Sequence, residues 1–156
     1  MDSTAGLTGL VGVGYQGRDI DGFVSELRAA GVSRLVDVRL TPLSRKPGFS
    51  KTALRQALDS TGVAYEHLRE LGNPKDNRPG FAAGIDELTQ ARDRYRERLA
   101  EPAAASALRR IADWADGELV AVLCFEAEQA RCHRDLVLTE VARLRLTAAG
   151  STPHRC

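Results

Sequence analysis

The chain reads as a single three-layer α/β domain over residues 1–156, a mostly parallel sheet of four to five strands with helices on both faces. Two observations predict it. Short apolar runs alternate with longer segments of helical spacing in the order β-α-β-α-β-α-α-β-α, and a parallel sheet needs such crossovers. The length of 156 residues is one domain's worth, and 43% hydrophobic with 28% charged residues is enough apolar material for one core.

The elements follow in order. Thr8–Gly14 is a short strand of small residues. Asp19 can cap a helix over Ile20–Ala30, with Phe23, Val24 and Leu27 on one face and Gly31 as its stop. Arg34–Val38 is the second strand. Pro42, Pro47 and Gly48 then impose a loop. Ser50 is placed to cap a helix over Lys51–Ser60, and Gly62 ends it. Val63–Leu68 is the third strand, and residues 69–84, rich in Gly, Pro and Asn, form a long loop. Helices are predicted at about 85–100 and 103–115, the latter with Pro102 at its start. Glu118–Phe125 is the fourth strand and 133–147 the last helix.

Composition limits the function. A net charge of +1 argues against a nucleic-acid or membrane partner gathered by bulk attraction, although a local patch of arginine suits bidentate capture of phosphate or carboxylate. No apolar stretch reaches the roughly 18 residues of a membrane span. The first residues lack the basic and apolar regions of a signal peptide. Three cysteines without a framework fit reduced thiols, and the expectation is a cytoplasmic protein.

In a parallel sheet, sites lie at the C-terminal strand ends. Those ends are Gly14-Tyr15, Asp37-Val38-Arg39, His67 and Cys124-Phe125-Glu126. Six residues after Glu126, Cys132-His133-Arg134 opens the last predicted helix. A helix N-terminus favours anions and lowers a thiol's pKa, so Cys132 is expected to be an activated thiol and Arg134 an anion contact. Gly12-Val13-Gly14-Tyr15-Gln16-Gly17 matches the dinucleotide pattern on paper, but Arg18 and Asp19 intervene before the helix, and glycines that turn the chain are the favoured reading.

Six motifs stand in order along the chain from about Val11 to His154: Gly12–Arg18, Asp37-Val38-Arg39, Pro42–Ser50, Tyr65, Leu71-Gly72-Asn73 and Cys124–Arg134. Together they resemble the bacterial and archaeal family called domain of unknown function 488. The resemblance implies a compact α/β fold with a shared site and supplies no reaction. His154 matches a family histidine that precedes an Ile, whereas Arg155 and Cys156 follow it here.

Three functional readings result. In the favoured one the chain is an enzyme acting on a phosphorylated or other anionic small molecule or nucleotide. Cys132 or Cys124 supplies a thiolate, His133, Asp37 or Glu126 moves protons, and Tyr15, Arg39, Ser44, Arg45 and Arg134 bind the anion. Cysteine-phosphatase chemistry is not indicated, because Ala130 stands where a C-x5-R loop needs arginine. In the second the chain is a non-catalytic binding or regulatory module for a nucleotide or nucleic acid. In the third Cys124, Cys132, His133 and His154 hold a metal, although C-x7-C-H lacks the tight C-x2-C spacing. Each residue also has a plainer role. Asp37 and Arg39 can form a structural ion pair, Ser44 and Arg45 a solvated loop, and Cys124 a small buried hydrophobe. No motif fixes a cofactor or an oligomeric state.

Overall fold

A computed structural model describes residues 7–151. It contains one four-stranded parallel sheet, with β1 (Gly9–Gly14), β2 (Arg34–Asp37), β3 (Ala64–His67) and β4 (Leu119–Cys124) in the order β1-β4-β2-β3. Five α-helices surround it: α1 (Ile20–Ala29), α2 (Lys51–Asp59), α3 (Ile85–Leu99), α4 (Pro102–Gly117) and α5 (Arg134–Ser151).

The period-2 alternation of the strands divides the core in two. Leu35, Ala121 and Leu123 face one side, against Phe23 and Leu27 of α1 and Leu54 and Leu58 of α2. Val36, Val120, Val122 and Cys124 face the other, against Tyr95 of α3, Ile111 of α4 and Val137 of α5. The two crossovers that run β1 to β2 to β3 thus share one face. The return from β3 to β4 uses the other, as one handedness for all crossovers requires. Because β4 sits between β1 and β2 and its connection leaves by the opposite face, a crevice opens over its C-terminal end.

Most caps follow the sequence. Asp19 Oδ1 accepts from Gly22 N at 2.7 Å, Gly31 ends α1 at φ +82°, and Pro102 opens α4. Ser50 departs from expectation. Its hydroxyl makes no cap bond; it accepts from Ser44 N at 2.9 Å and donates to Ser44 O at 3.2 Å, closing the loop between the prolines. The last helix begins at Arg134, one residue later than predicted. Residues 69–84 form three 3-10 turns, Arg69–Leu71, Lys75–Asn77 and Pro79–Ala82.

The glycines of β1 serve packing. A Cβ at Gly12 would meet Gln129, Leu138 and Arg134, and one at Gly14 would collide with the Glu126 carbonyl. Glycine there lets α5 and the loop after β4 lie directly on β1. No helix among the described residues is long and apolar enough to cross a membrane. His154 and Cys156 lie outside the described residues.

Candidate active site

The segments leaving all four strands line one pocket. After β1 comes Tyr15, after β2 Arg39, Leu40, Thr41 and Leu43, and after β3 Asn73, Arg78 and Phe81. Cys124, Phe125 and Glu126 follow from β4, and Arg131, Cys132 and His133 precede α5. The strand-rim expectation therefore gathers Tyr15, Arg39, Cys124, Glu126, Cys132 and His133 in one place.

Below the pocket, Asp37 and Arg39 form a buried support. Asp37 is fully buried; it accepts from Arg39 Nε at 2.8 Å, Arg39 Nη2 at 2.7 Å and the Tyr65 hydroxyl at 2.5 Å. The remaining Arg39 nitrogen, Nη1, donates to Phe49 O at 2.7 Å and to the Tyr15 hydroxyl at 3.2 Å. Burial works against the Arg39 charge, but the hydrogen bonds and charge of Asp37 outweigh it and raise the guanidinium's pKa. Burial, then Asp37, also raises the Tyr65 hydroxyl. Tyr15 stacks on Phe49 with centroids 4.5 Å apart and meets Phe125 edge-on. Every nitrogen of the Arg39 side chain is thus engaged by protein. It braces the aromatic wall rather than offering a free cation.

At the inner end, His133 joins the two thiols. Its Nε2 lies 2.8 Å from the Val38 carbonyl, which only accepts, so Nε2 carries a proton and, in the neutral ring, Nδ1 presents a lone pair. Nδ1 is 3.6 Å from Cys124 Sγ and 3.8 Å from Cys132 Sγ. Glu126 Oε1 is 3.5 Å from Cys124 Sγ on the pocket side. Tyr95 packs edge-on against the imidazole, its hydroxyl donating to Leu71 O at 2.5 Å.

Cys132 corrects an expectation. It is 1% exposed, and burial first, then its contact with Cys124, pushes its thiol pKa up, not down. A helix terminus contributes at most about 2 kcal/mol to an adjacent charge, whereas burial shifts a group by up to about 5 pKa units, about 7 kcal/mol. Nor is the helix start an open anion cradle. Cys132 N donates to Gln129 O at 3.0 Å, and Arg134 N to Cys132 Sγ at 3.5 Å.

Four further candidates lie away from the pocket lining. Asp37 is beneath it. Arg134 is 2% exposed and donates to Glu126 O at 2.5 Å and Ala127 O at 3.3 Å, so it anchors the loop after β4. Ser44 spends its polar groups within its own loop, with Lys46 N donating to its hydroxyl at 3.1 Å. Arg45 is exposed.

The pocket's other cations were missed in the sequence. Arg131 Nη1 donates to Ala83 O at 2.6 Å and Phe81 O at 3.3 Å; Arg78 Nε donates to Asn73 O at 3.2 Å. Among the described residues neither arginine has a carboxylate within salt-bridge distance. Arg131 had a signal, since it immediately precedes Cys132 in the longest motif. Arg78 had none, because its place depends on the 3-10 turns.

The buried acids make stability pH-dependent. Burial raises the pKa of Tyr95 and of Cys132 above their ordinary values. Above about pH 9–10 the unfolded chain releases these protons while the folded chain keeps them, so stability falls by about 1.4 kcal/mol per pH unit for each group. Urea midpoints of chelator-treated protein should drop between about pH 8 and pH 11, and Tyr95→Phe should flatten the slope. An unchanged midpoint across that range would contradict this reading.

One comparison places the chain among known proteins. The family model described as Domain of unknown function DUF488 matches residues 19–141. No curated protein and no solved structure matches.

Proposed function

Since the chain belongs to the family described as Domain of unknown function DUF488, whose description carries no reaction, we propose a function from the pocket itself. The chain is an enzyme acting on a small phosphorylated or carboxylated molecule, nucleotides included. Arg78 and Arg131 hold the anion. Glu126 and the Nδ1 lone pair of His133 move protons at the inner end, beside Cys124. The observation that carries this reading is the pairing of two guanidinium groups that lack carboxylate partners among the described residues with a Cys-His-Glu cluster in one pocket. An arginine without a counter-ion favours any anion that reaches it, because Arg offers a planar fork of donors; Arg131 is half-buried and Arg78 exposed.

Size narrows the substrate. The cavity of about 150 Å³ is smaller than the roughly 300–1,000 Å³ of pockets that enclose a whole drug-sized ligand. It takes one phosphate- or ring-sized group, with the rest of the molecule outside. Phe125 and Leu43, 41% and 74% exposed, flank that entrance and offer apolar surface to such a remainder.

Calorimetric titration with inorganic phosphate and with adenosine monophosphate tests the reading. Arg78→Ala should weaken binding about tenfold or more, the worth of one charge-assisted hydrogen bond of about 1.5–3 kcal/mol. Arg143→Ala, which removes an exposed arginine already paired with Glu140, should leave the affinity unchanged. Equal affinities for the Arg78 variant and the unmutated protein would overturn the assignment.

A further inference from the structure

The ligand atoms of Cys124, Cys132 and His133 all lie within 4.8 Å of one another, and all three residues are buried. From their geometry we infer that these three side chains form a zinc-type metal centre whose fourth position opens into the pocket.

The distances carry the first part. A tetrahedral zinc with Zn–S of about 2.3 Å and Zn–N of about 2.0–2.1 Å has S···N edges of about 3.6 Å and S···S edges of about 3.8 Å. His133 Nδ1 stands 3.6 Å and 3.8 Å from the two sulfurs. Three side chains from two separate segments, the end of β4 and the approach to α5, converge at the spacing that one bound ion requires.

The surroundings carry the second part. A metal-binding histidine typically donates its other ring N–H to a carbonyl or carboxylate, which fixes the tautomer and aims the free lone pair. His133 does this through Nε2 to Val38 O. The backbone N–H of Arg134 points at Cys132 Sγ, a donor that steadies charge on a metal-bound sulfur. Two thiolates and an imidazole are soft-to-borderline ligands, suited to zinc rather than to magnesium or calcium.

The open position follows from Glu126. Its carboxylate is 3.5 Å from Cys124 Sγ but outside the group that closes within 4.8 Å. Three protein ligands with a fourth position left to water or substrate is the pattern of a catalytic rather than a structural zinc. An oxygen of the bound anion, or a water with a lowered pKa, fits that position, with Glu126 beside it to take or give a proton; in the metal-bound protein the His133 Nδ1 lone pair holds the ion and Glu126 alone moves protons. The centre stands on other atoms than the Arg78–Arg131 anion site, so either can fail alone.

The test uses the full chain. Elemental analysis of protein from zinc-supplemented cells should find stoichiometric zinc. Chelator-treated protein reloaded with cobalt(II) should show a sulfur-to-cobalt charge-transfer band and the strong visible bands of a tetrahedral site. Cys132→Ser and His133→Ala should lose metal affinity by more than the about tenfold to hundredfold that loss of a supporting partner costs. Glu126→Gln should retain the metal. Where a ligand variant fails to fold, the cobalt spectrum of the unmutated protein still decides. A folded protein with no charge-transfer band overturns the centre. Metal loss in Glu126→Gln equal to that in Cys132→Ser overturns the open position. Metal bound without phosphate affinity upholds the centre and removes the anion reading; phosphate affinity without metal does the reverse.

Discussion

Replacing Asp37 with alanine should cost about 3–5 kcal/mol of folding stability, the usual effect of removing one partner from a buried ion pair. Asp37 is fully buried and takes two hydrogen bonds from the Arg39 side chain and one from Tyr65. Without it, the Arg39 guanidinium stays buried with only the Phe49 main-chain carbonyl and the Tyr15 hydroxyl as hydrogen-bond partners. For a domain whose total stability is about 5–15 kcal/mol, that loss lowers the melting temperature by about 10 °C or more. The exposed Arg96–Asp93 pair gives the contrast, because breaking it should cost less than about 1 kcal/mol. Urea unfolding of both variants measures the difference. An Asp37→Ala cost near that of Asp93→Ala would show that the pair does not brace the pocket floor.

The same pair shows how far the sequence can be read. Asp37-Val38-Arg39 at a strand end is visible as a motif, and either a site role or a structural pair fits it. The choice depends on Tyr65, which reaches Asp37 across the β2–β3 register, and that register is a tertiary fact. The strands and helices were legible to within a few residues because apolar runs, Asp19, Gly31 and Pro102 mark them locally. Ser50 was misread because its hydroxyl had a competing local partner in Ser44. Arg78 and Phe81 reach the pocket through 3-10 turns that have no hydrophobic period to reveal them. Cys132 was misjudged in sign because proximity to a helix start is visible in sequence, whereas complete burial is not.

Arg134→Met should cost about 2 kcal/mol and loosen the loop that carries Glu126. The guanidinium donates to two carbonyls of that loop, and bonds from a charged donor contribute about 1.5–3 kcal/mol each. Its Nε, however, is buried without a partner. Methionine removes that unmet donor while keeping most of the volume, which holds the net cost to the low end. The loop also keeps the bond from Ala127 N to Gln16 Oε1. Urea unfolding gives the cost, and exchange of the Glu126 and Ala127 amides reads the loosening. If Arg134 positions rather than binds, phosphate affinity should fall far less in Arg134→Met than in Arg78→Ala. The opposite ranking would return Arg134 to the anion site.

Amide chemical-shift mapping with inorganic phosphate reads whether one pocket at the strand rim joins an arginine anion site to the Cys-His-Glu cluster. If it does, saturable shifts should appear in two separated segments, residues 73–81 and 124–134, moving with one binding constant and both lost in Arg78→Ala. Shifts confined to the arginine-rich surface around Arg96, Arg109 and Arg143, or none in residues 124–134, would contradict it.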